Sequence, residues 1–208
     1  MKLSVGYGFQ KKLIEQLAFF PEVKEIYGKM LKDPIGGGRS SLTFQIVGRK
    51  KLIESINTAK QHNIKFNYLI NGSTLNGIEQ TKSGQRKIRK LLDFLYANKV
   101  DGVTISVPYL IRVVKKYYPD LYVRVGAFAV VDSPEKARQW EDMGADTICL
   151  SALSCNRDFN KLENIKKSVN CELQLIVNSS CIYNCSYELT HGHAYLVFKY
   201  QLLLLRFP

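Results

Sequence analysis

The sequence predicts an α/β chain of the (β/α)8 TIM-barrel type, incomplete at about seven βα units. Three observations carry that prediction. Short apolar segments alternate with longer stretches of helical periodicity along the chain, the sequence form of βα units repeated around a parallel sheet. Seven strand-like segments follow one another, and right-handed crossovers between neighbouring strands lead from seven steps toward an eight-stranded barrel, with an open sheet as the alternative. A length of 208 residues, 46% hydrophobic and 23% charged, suits one domain with a sizeable core and lies far from the composition of disordered chains.

Leu3 to Tyr7 reads as the first strand, and Leu13, Ile14, Leu17 and Ala18 then recur at helical spacing. Val23 to Tyr27 is the second strand. The proline and three glycines of Asp33-Pro34-Ile35-Gly36-Gly37-Gly38-Arg39 forbid regular structure, and a helix is expected from about Gly48 to Asn63. Phe66 to Ile70 forms the third strand. Thr81 to Asn98 is amphipathic, with Ile88, Leu91, Leu92 and Leu95 set among Lys and Arg, so one face packs on the sheet. Gly102 to Val107 follows as the fourth strand, and Pro108 opens a helix through Tyr117, because a first turn does not need the N–H that proline lacks. Leu121 to Val131 is the fifth strand, Ser133-Pro134 a helix start, and Met143-Gly144 that helix's end. Ala145 to Leu150, a helix over Asp158 to Ser168, and Glu172 to Asn178 complete the series.

The barrel is expected over residues 1–193, with 194–208 an atypical apolar tail. The leucine run Leu202 to Leu205 has neither loop nor helix before it and looks wrong for an eighth strand. Two unpaired sheet edges invite either a partner subunit or aggregation. Lys+Arg of 30 against Asp+Glu of 18 gives a formal charge of +12, which favours RNA or an anionic small molecule as partner by long-range attraction. Basic density is highest at Gly48-Arg49-Lys50-Lys51 and from Lys82 to Lys90, and a solvated helix face accounts for either run as well as RNA does. No segment reaches the roughly 18 apolar residues of a membrane span. The N-terminus lacks the apolar core of a secretory signal, and five cysteines make an odd count, so a reducing cytoplasmic location is expected.

Reactive groups of parallel barrels sit where strands end and the next loops begin. That rule selects Tyr27, Arg39, Asn71 and Asn178 as candidate substrate contacts, beside Tyr7, Ser106, Phe128 and Ser151. Chemistry concentrates after the seventh strand, where Cys181 and Cys185 stand three residues apart and His191 and His193 follow. Thiolates there can hold a soft metal or attack a substrate. Zinc would need His191, His193 or a further cysteine. An iron–sulfur cluster (4Fe-4S) would need two more thiols, and two buried free thiols are the plain alternative. Cys155 is the best third thiol, whereas Cys149 and Cys171 lie inside apolar strands. Gly36 to Arg39 offers backbone N–H groups and a guanidinium, the parts of an anion pocket or of an ordinary flexible loop. Asp101 and Asp146 open strands at the opposite end, and no Ser/His/Asp order supports a hydrolase triad.

Glu25-Ile26-Tyr27-Gly28, the Gly36–Arg39 loop, Phe66-Asn67-Tyr68 with Asn71, Ser106-Val107-Pro108, and Gln174 to Asn178 with Cys181 and Cys185 together resemble the peptidase U32 family, the collagenase-like peptidases. The likeness extends to about His193, and the tail shows none. The resemblance implies a barrel whose strand-seven cysteines, Cys181 and Cys185 here, hold an iron–sulfur cluster. It also implies an activity that the family divides between proteolysis and oxygen-independent hydroxylation of RNA bases or small aromatic precursors. The alternative is a non-catalytic, truncated barrel that binds RNA or a partner subunit.

Overall fold

The computed structural model describes residues 1–10, 12–30, 32–35, 47–179 and 182–188. Seven strands, β1 (Leu3–Gly6), β2 (Val23–Gly28), β3 (Lys65–Ile70), β4 (Gly102–Ile105), β5 (Tyr122–Val125), β6 (Thr147–Cys149) and β7 (Glu172–Gln174), pair in that order. Every pairing is parallel. The helices α1 (Leu13–Leu17), α2 (Arg49–Gln61), α3 (Lys82–Ala97), α4 (Pro108–Tyr117), α5 (Pro134–Asp142) and α6 (Phe159–Ser168) fall one between each pair of successive strands. The sheet curls into an incomplete (β/α)8 barrel. Arg124 on β5 bonds Glu25 on β2 with two strands between them, and only a concave sheet allows that. Lys2 Nζ donates to Glu172 Oε1 at 2.6 Å, linking the two ends of the sheet.

Two chemistries alternate along each strand, as the period of two requires. Ile26, Phe66, Ile70, Val103, Ile105, Val123, Val125 and Ile148 are buried in the main core, on the face opposite the inward Glu25–Arg124 network. Burying each contributes about 1.5–3 kcal/mol. Helix periodicity supplies the other half of that core, with Leu52, Ile56 and Ala59 on α2 and Ile88, Leu91, Leu92 and Leu95 on α3.

Helix starts follow the side chains that cap them. Thr81 Oγ1 accepts the Gly84 N–H at 3.0 Å, Ser133 Oγ that of Lys136, and Asp158 Oδ1 that of Lys161, while Pro108 and Pro134 occupy first turns. Gly84 has no substitute: a Cβ there would lie 1.9 Å from the Ile78 carbonyl oxygen. At the N-terminal ends of the strands, carboxylates staple neighbours together. Asp101 Oδ2 accepts the Phe66 N–H, and Asp146 Oδ2 accepts both the Val123 N–H and Lys115 Nζ. The two aspartates expected at that end therefore lie there and hold structure.

Five strands are shorter than expected, β5 and β7 most of all. β5 stops at Val125 because the chain turns through a 3-10 segment, Ala127–Ala129, and Val130 takes a left-handed φ of 48°. β7 stops at Gln174, whose carbonyl accepts the last ladder bond from Leu150 N. Beyond it Leu175, Ile176 and Val177 are exposed, and among the described residues nothing pairs with the free edge of β7.

Candidate functional site at the C-terminal end of the barrel

The inward face of the strands is polar. Ser4 Oγ donates to Glu25 Oε1 at 2.6 Å, Asn67 Nδ2 to Glu25 Oε2 at 3.5 Å, and Thr104 Oγ1 to Asn67 Oδ1 at 2.6 Å. Arg124 completes the set by an ion pair with Glu25, both side chains nearly buried. Below that layer, Tyr122, Thr147 and Glu172 bond one another, and burial raises the Tyr122 phenol above its usual range. Packed barrels of this type normally fill their interior with layers of branched apolar side chains. A buried ion pair in their place is often no better for stability than apolar residues of equal volume, because desolvating both charges offsets their attraction.

Two buried polar atoms in this interior have no hydrogen-bond partner among the described residues, Arg124 Nε and Ser106 Oγ. Ser106 follows β4, and opposite it Gly126 follows β5. A Cβ on Gly126 would lie 2.9 Å from Ser106 Oγ, 3.0 Å from Thr104 Cγ2 and 3.2 Å from Asn71 Cβ. The glycine thus lets Thr104, Ser106 and Asn71 converge at the top of the barrel interior. Tyr27 shares this face, two residues beyond Glu25 and in register with Asn67, and is half-buried. Tyr27 and Asn71 each make further interactions of their own. Phe128 is half-buried in the turn after β5, and Tyr7 turns outward to α2, its hydroxyl 3.4 Å from Ser55 Oγ.

A second group forms where β6 ends. Ser151 Oγ donates to Glu188 Oε1 at 2.8 Å and accepts the Ser154 N–H at 3.3 Å, while Asn184 N donates to the Leu153 carbonyl at 2.7 Å. These bonds lay residues 182–188 across the β6–α6 loop, so half-buried Cys185 reaches the same end of the barrel on a loop. Cys155 belongs to that loop but turns into the core: it is fully buried, its thiol against the Val131 carbonyl at 3.7 Å. Burial pushes the Cys149 thiol up to about 11, although the Arg124 charge works against the shift. Cys171 sits at the start of β7, and burial together with Glu141 pushes its thiol up to about 11 as well. Asn178 is exposed in a turn past β7.

Arg39, Cys181, His191 and His193 lie outside the described residues, so the thiol pair and the guanidinium loop are not placed. The approach to that loop is held firmly. Lys29 Nζ bonds Asp33 and the Ile35 carbonyl, and the Tyr68 hydroxyl donates to Asp33 Oδ2 at 2.7 Å. Burial, with Asp33 beside it, raises the Tyr68 phenol well above its ordinary value. Among the described residues no three His, Cys, Asp or Glu side chains gather as a metal site, so these residues alone fit neither zinc nor a four-thiolate cluster. His62, the one described histidine, ends α2.

Glu25, Asn67, Thr104 and Arg124 were not singled out as site residues from the sequence. Glu25 stands beside Lys24 and gives no signal, but Asn67, Thr104 and Arg124 do: each is a polar residue flanked by apolar neighbours inside a short strand, as in Val123-Arg124-Val125. Period-two alternation then assigns it to the barrel interior. Among the described residues no helix is long and apolar enough to cross a membrane.

Comparison with known proteins agrees with this architecture. Residues 39–191 match peptidase family U32. "Uncharacterized protease MJ1657" of Methanocaldococcus jannaschii is 34% identical over 157 residues, covering 76% of this chain and 46% of its own length. The chain thus spans about half of that relative. Among solved structures, the U32 peptidase Mk0906 superposes with a TM-score of 0.79 at 20% identity, over 98% of this chain and 79% of that one. An oxaloacetate acetylhydrolase gives 0.53 at 14% identity, over 99% and 81%, a likeness of fold alone. The motif order along the strands, the incomplete barrel and the match over residues 39–191 lead to one assignment: the chain belongs to peptidase family U32.

Proposed function

We propose that the chain is the substrate-engaging barrel of a peptide-hydrolysing enzyme, which takes a peptide segment at the C-terminal end of the strands. One observation carries this reading: the barrel interior is a polar network ending in an unpartnered Ser106 hydroxyl, with Asn71 and Gly126 beside it. Charges kept where apolar packing serves stability equally well mark a site selected for something other than stability. Peptide carbonyl and amide groups offer the acceptors and donors that such a floor satisfies. Glu25, held by Ser4, Asn67 and Arg124, fixes the guanidinium under the substrate. Ser151 and Glu188 are the hydroxyl–carboxylate pair at the rim. The names of the relatives point the same way.

The test incubates the purified chain with a peptide library and reads new N-termini by mass spectrometry. Cleavage that falls at least tenfold in Ser106→Ala, with the fold intact by circular dichroism, is the expected result. A folded chain that cleaves no peptide overturns the proposal.

The placement of Cys185 at the same end favours a second reading, hydroxylation of RNA or a small aromatic substrate through an iron–sulfur cluster. Cys181 and Cys185 would be its ligands on this chain, and a bound cluster would supply the electron transfer. Anaerobic purification followed by iron analysis and an absorption spectrum decides it. Cluster bands lost in Cys181→Ala/Cys185→Ala support this reading, and iron-free, colourless protein removes it.

A further inference from the structure

We infer that the outer surface formed by α2, α3 and α4 docks single-stranded nucleic acid, at a place separate from the barrel mouth and independent of the reaction catalysed there. Charge is the first observation. α2 carries four basic side chains to one acidic, α3 five to one, and α4 three to none, a net of +10 on three adjacent helices, against +12 for the whole chain. α5 and α6 together carry five basic to four acidic.

Pairing is the second observation. On the α5–α6 side, ion pairs join Lys136 to Asp132, Arg138 to Glu135, Lys161 to Asp158 and Lys167 to Glu163. Among the described residues, the basic side chains of α2 and α3 take part in no ion pair, and those of α4 in a single one, Lys115 with Asp146. Lys82, Arg86 and Lys90 recur at a spacing of four, and with Arg89, Gln85 and Asp93 they line an open depression of about 450 Å³. An ordinary solvated helix face carries charges of both signs, which is what α5 and α6 show.

Aromatic groups are the third observation and choose among polyanions. The Arg89 guanidinium lies over the Tyr117 ring, 3.5 Å from its centroid, and Arg49 lies over Phe94 at 4.6 Å. Tyr96 and Tyr117 are exposed on the same side. Basic groups that follow a phosphodiester backbone, beside aromatic faces on which unpaired bases stack, are the recognition chemistry of single strands. An acidic polypeptide matches the charge without using the exposed rings, and an anionic bilayer, whose interface also takes tyrosine side chains, is separated from a single strand by competition with vesicles.

Fluorescence anisotropy with a labelled 16-nucleotide oligouridine across a salt series tests the inference. Micromolar or tighter binding is expected at 50 mM salt, weakening as salt rises by about 0.7 in log Kd per log salt for each phosphate neutralised. Lys82→Glu/Arg86→Glu/Lys90→Glu should weaken binding at least 30-fold and flatten the slope, with an unchanged circular dichroism spectrum. Arg138→Glu/Lys166→Glu/Lys167→Glu, the same charge change on the other side, should weaken it less than threefold. Tyr96→Ala/Tyr117→Ala should lose about tenfold at constant slope, the size of one stacked base. No binding at 50 mM salt, or equal losses from the two triple variants, overturns the inference. So does an undiminished affinity in the tyrosine variant combined with equal competition by polyglutamate or anionic vesicles.

Discussion

Neighbouring residues on one strand lead opposite lives in this barrel. On β5, Val123 and Val125 lie in the apolar core, while Arg124 between them turns inward to an ion pair with Glu25. β3 repeats the contrast, with Phe66 in the core and Asn67 bonded to Glu25 and Thr104 inside. The wall is apolar and the interior polar, and the two respond differently to substitution.

Breaking the interior at one partner should do the most damage. Arg124→Met leaves the Glu25 carboxylate buried without its cation, a loss of about 3–5 kcal/mol in a urea or guanidinium melt. Adding Glu25→Leu removes the stranded charge, and the double variant should recover most of that loss or exceed the parent. A double variant as unstable as the single one would mean that the network is itself a structural necessity, and the division between wall and interior would fail. The wall makes the complementary case. Phe66→Ala opens a cavity among apolar neighbours and should cost about 3–4 kcal/mol, and no second polar substitution should restore it.

Cys149 sharpens the comparison through pH. It faces the interior, and burial holds its thiol at about 11 against an ordinary 9.0. The thiol stays protonated in the folded state while the unfolded chain ionises, so between about pH 9 and 11 the folded form binds more protons and stability falls as pH rises. Two pH units correspond to about 2–3 kcal/mol. Cys149→Ala should remove that part of the alkaline loss, measured as the difference between denaturation free energies at pH 8 and pH 11. If the alkaline loss is the same in both proteins, the thiol titrates freely and the interior is wetter than its burial indicates.

The wall was legible in the sequence because burial under helices leaves one mark, short apolar strands punctuated by amphipathic helices, and each of the seven strands and six helices lies where that mark fell. Strand ends were less legible, since β5 is cut by the turn beginning at Gly126 and β7 ends with its ladder to β6 at Gln174, and neither cause is local composition. The interior left a fainter mark. One polar residue in a four-residue strand also reads as a solvent-facing position, and only the closing curve of the sheet, which brings Arg124 on β5 to Glu25 on β2, distinguishes inside from outside. Asn71 and Ser106 were reachable from the strand-end rule. The Gly126 that lets them converge was not, because the apolar pattern from Leu121 to Val131 runs straight through it as one strand.

Ser106 gives the smallest effect and one of opposite sign. Its hydroxyl is buried with no partner, so the folded state loses the water that hydroxyl binds when unfolded and gains no bond in return. Leaving a buried polar group unsatisfied costs about 1–3 kcal/mol. Ser106→Ala removes the group and adds no volume beside Gly126, so the variant should be more stable than the parent by about 1 kcal/mol and, under the proposed function, slower in peptide cleavage. A wall residue cannot behave this way, because truncation there opens a cavity and gives back nothing. Should the alanine variant prove less stable, Ser106 Oγ has a partner in the folded protein, and the interior is satisfied without a substrate.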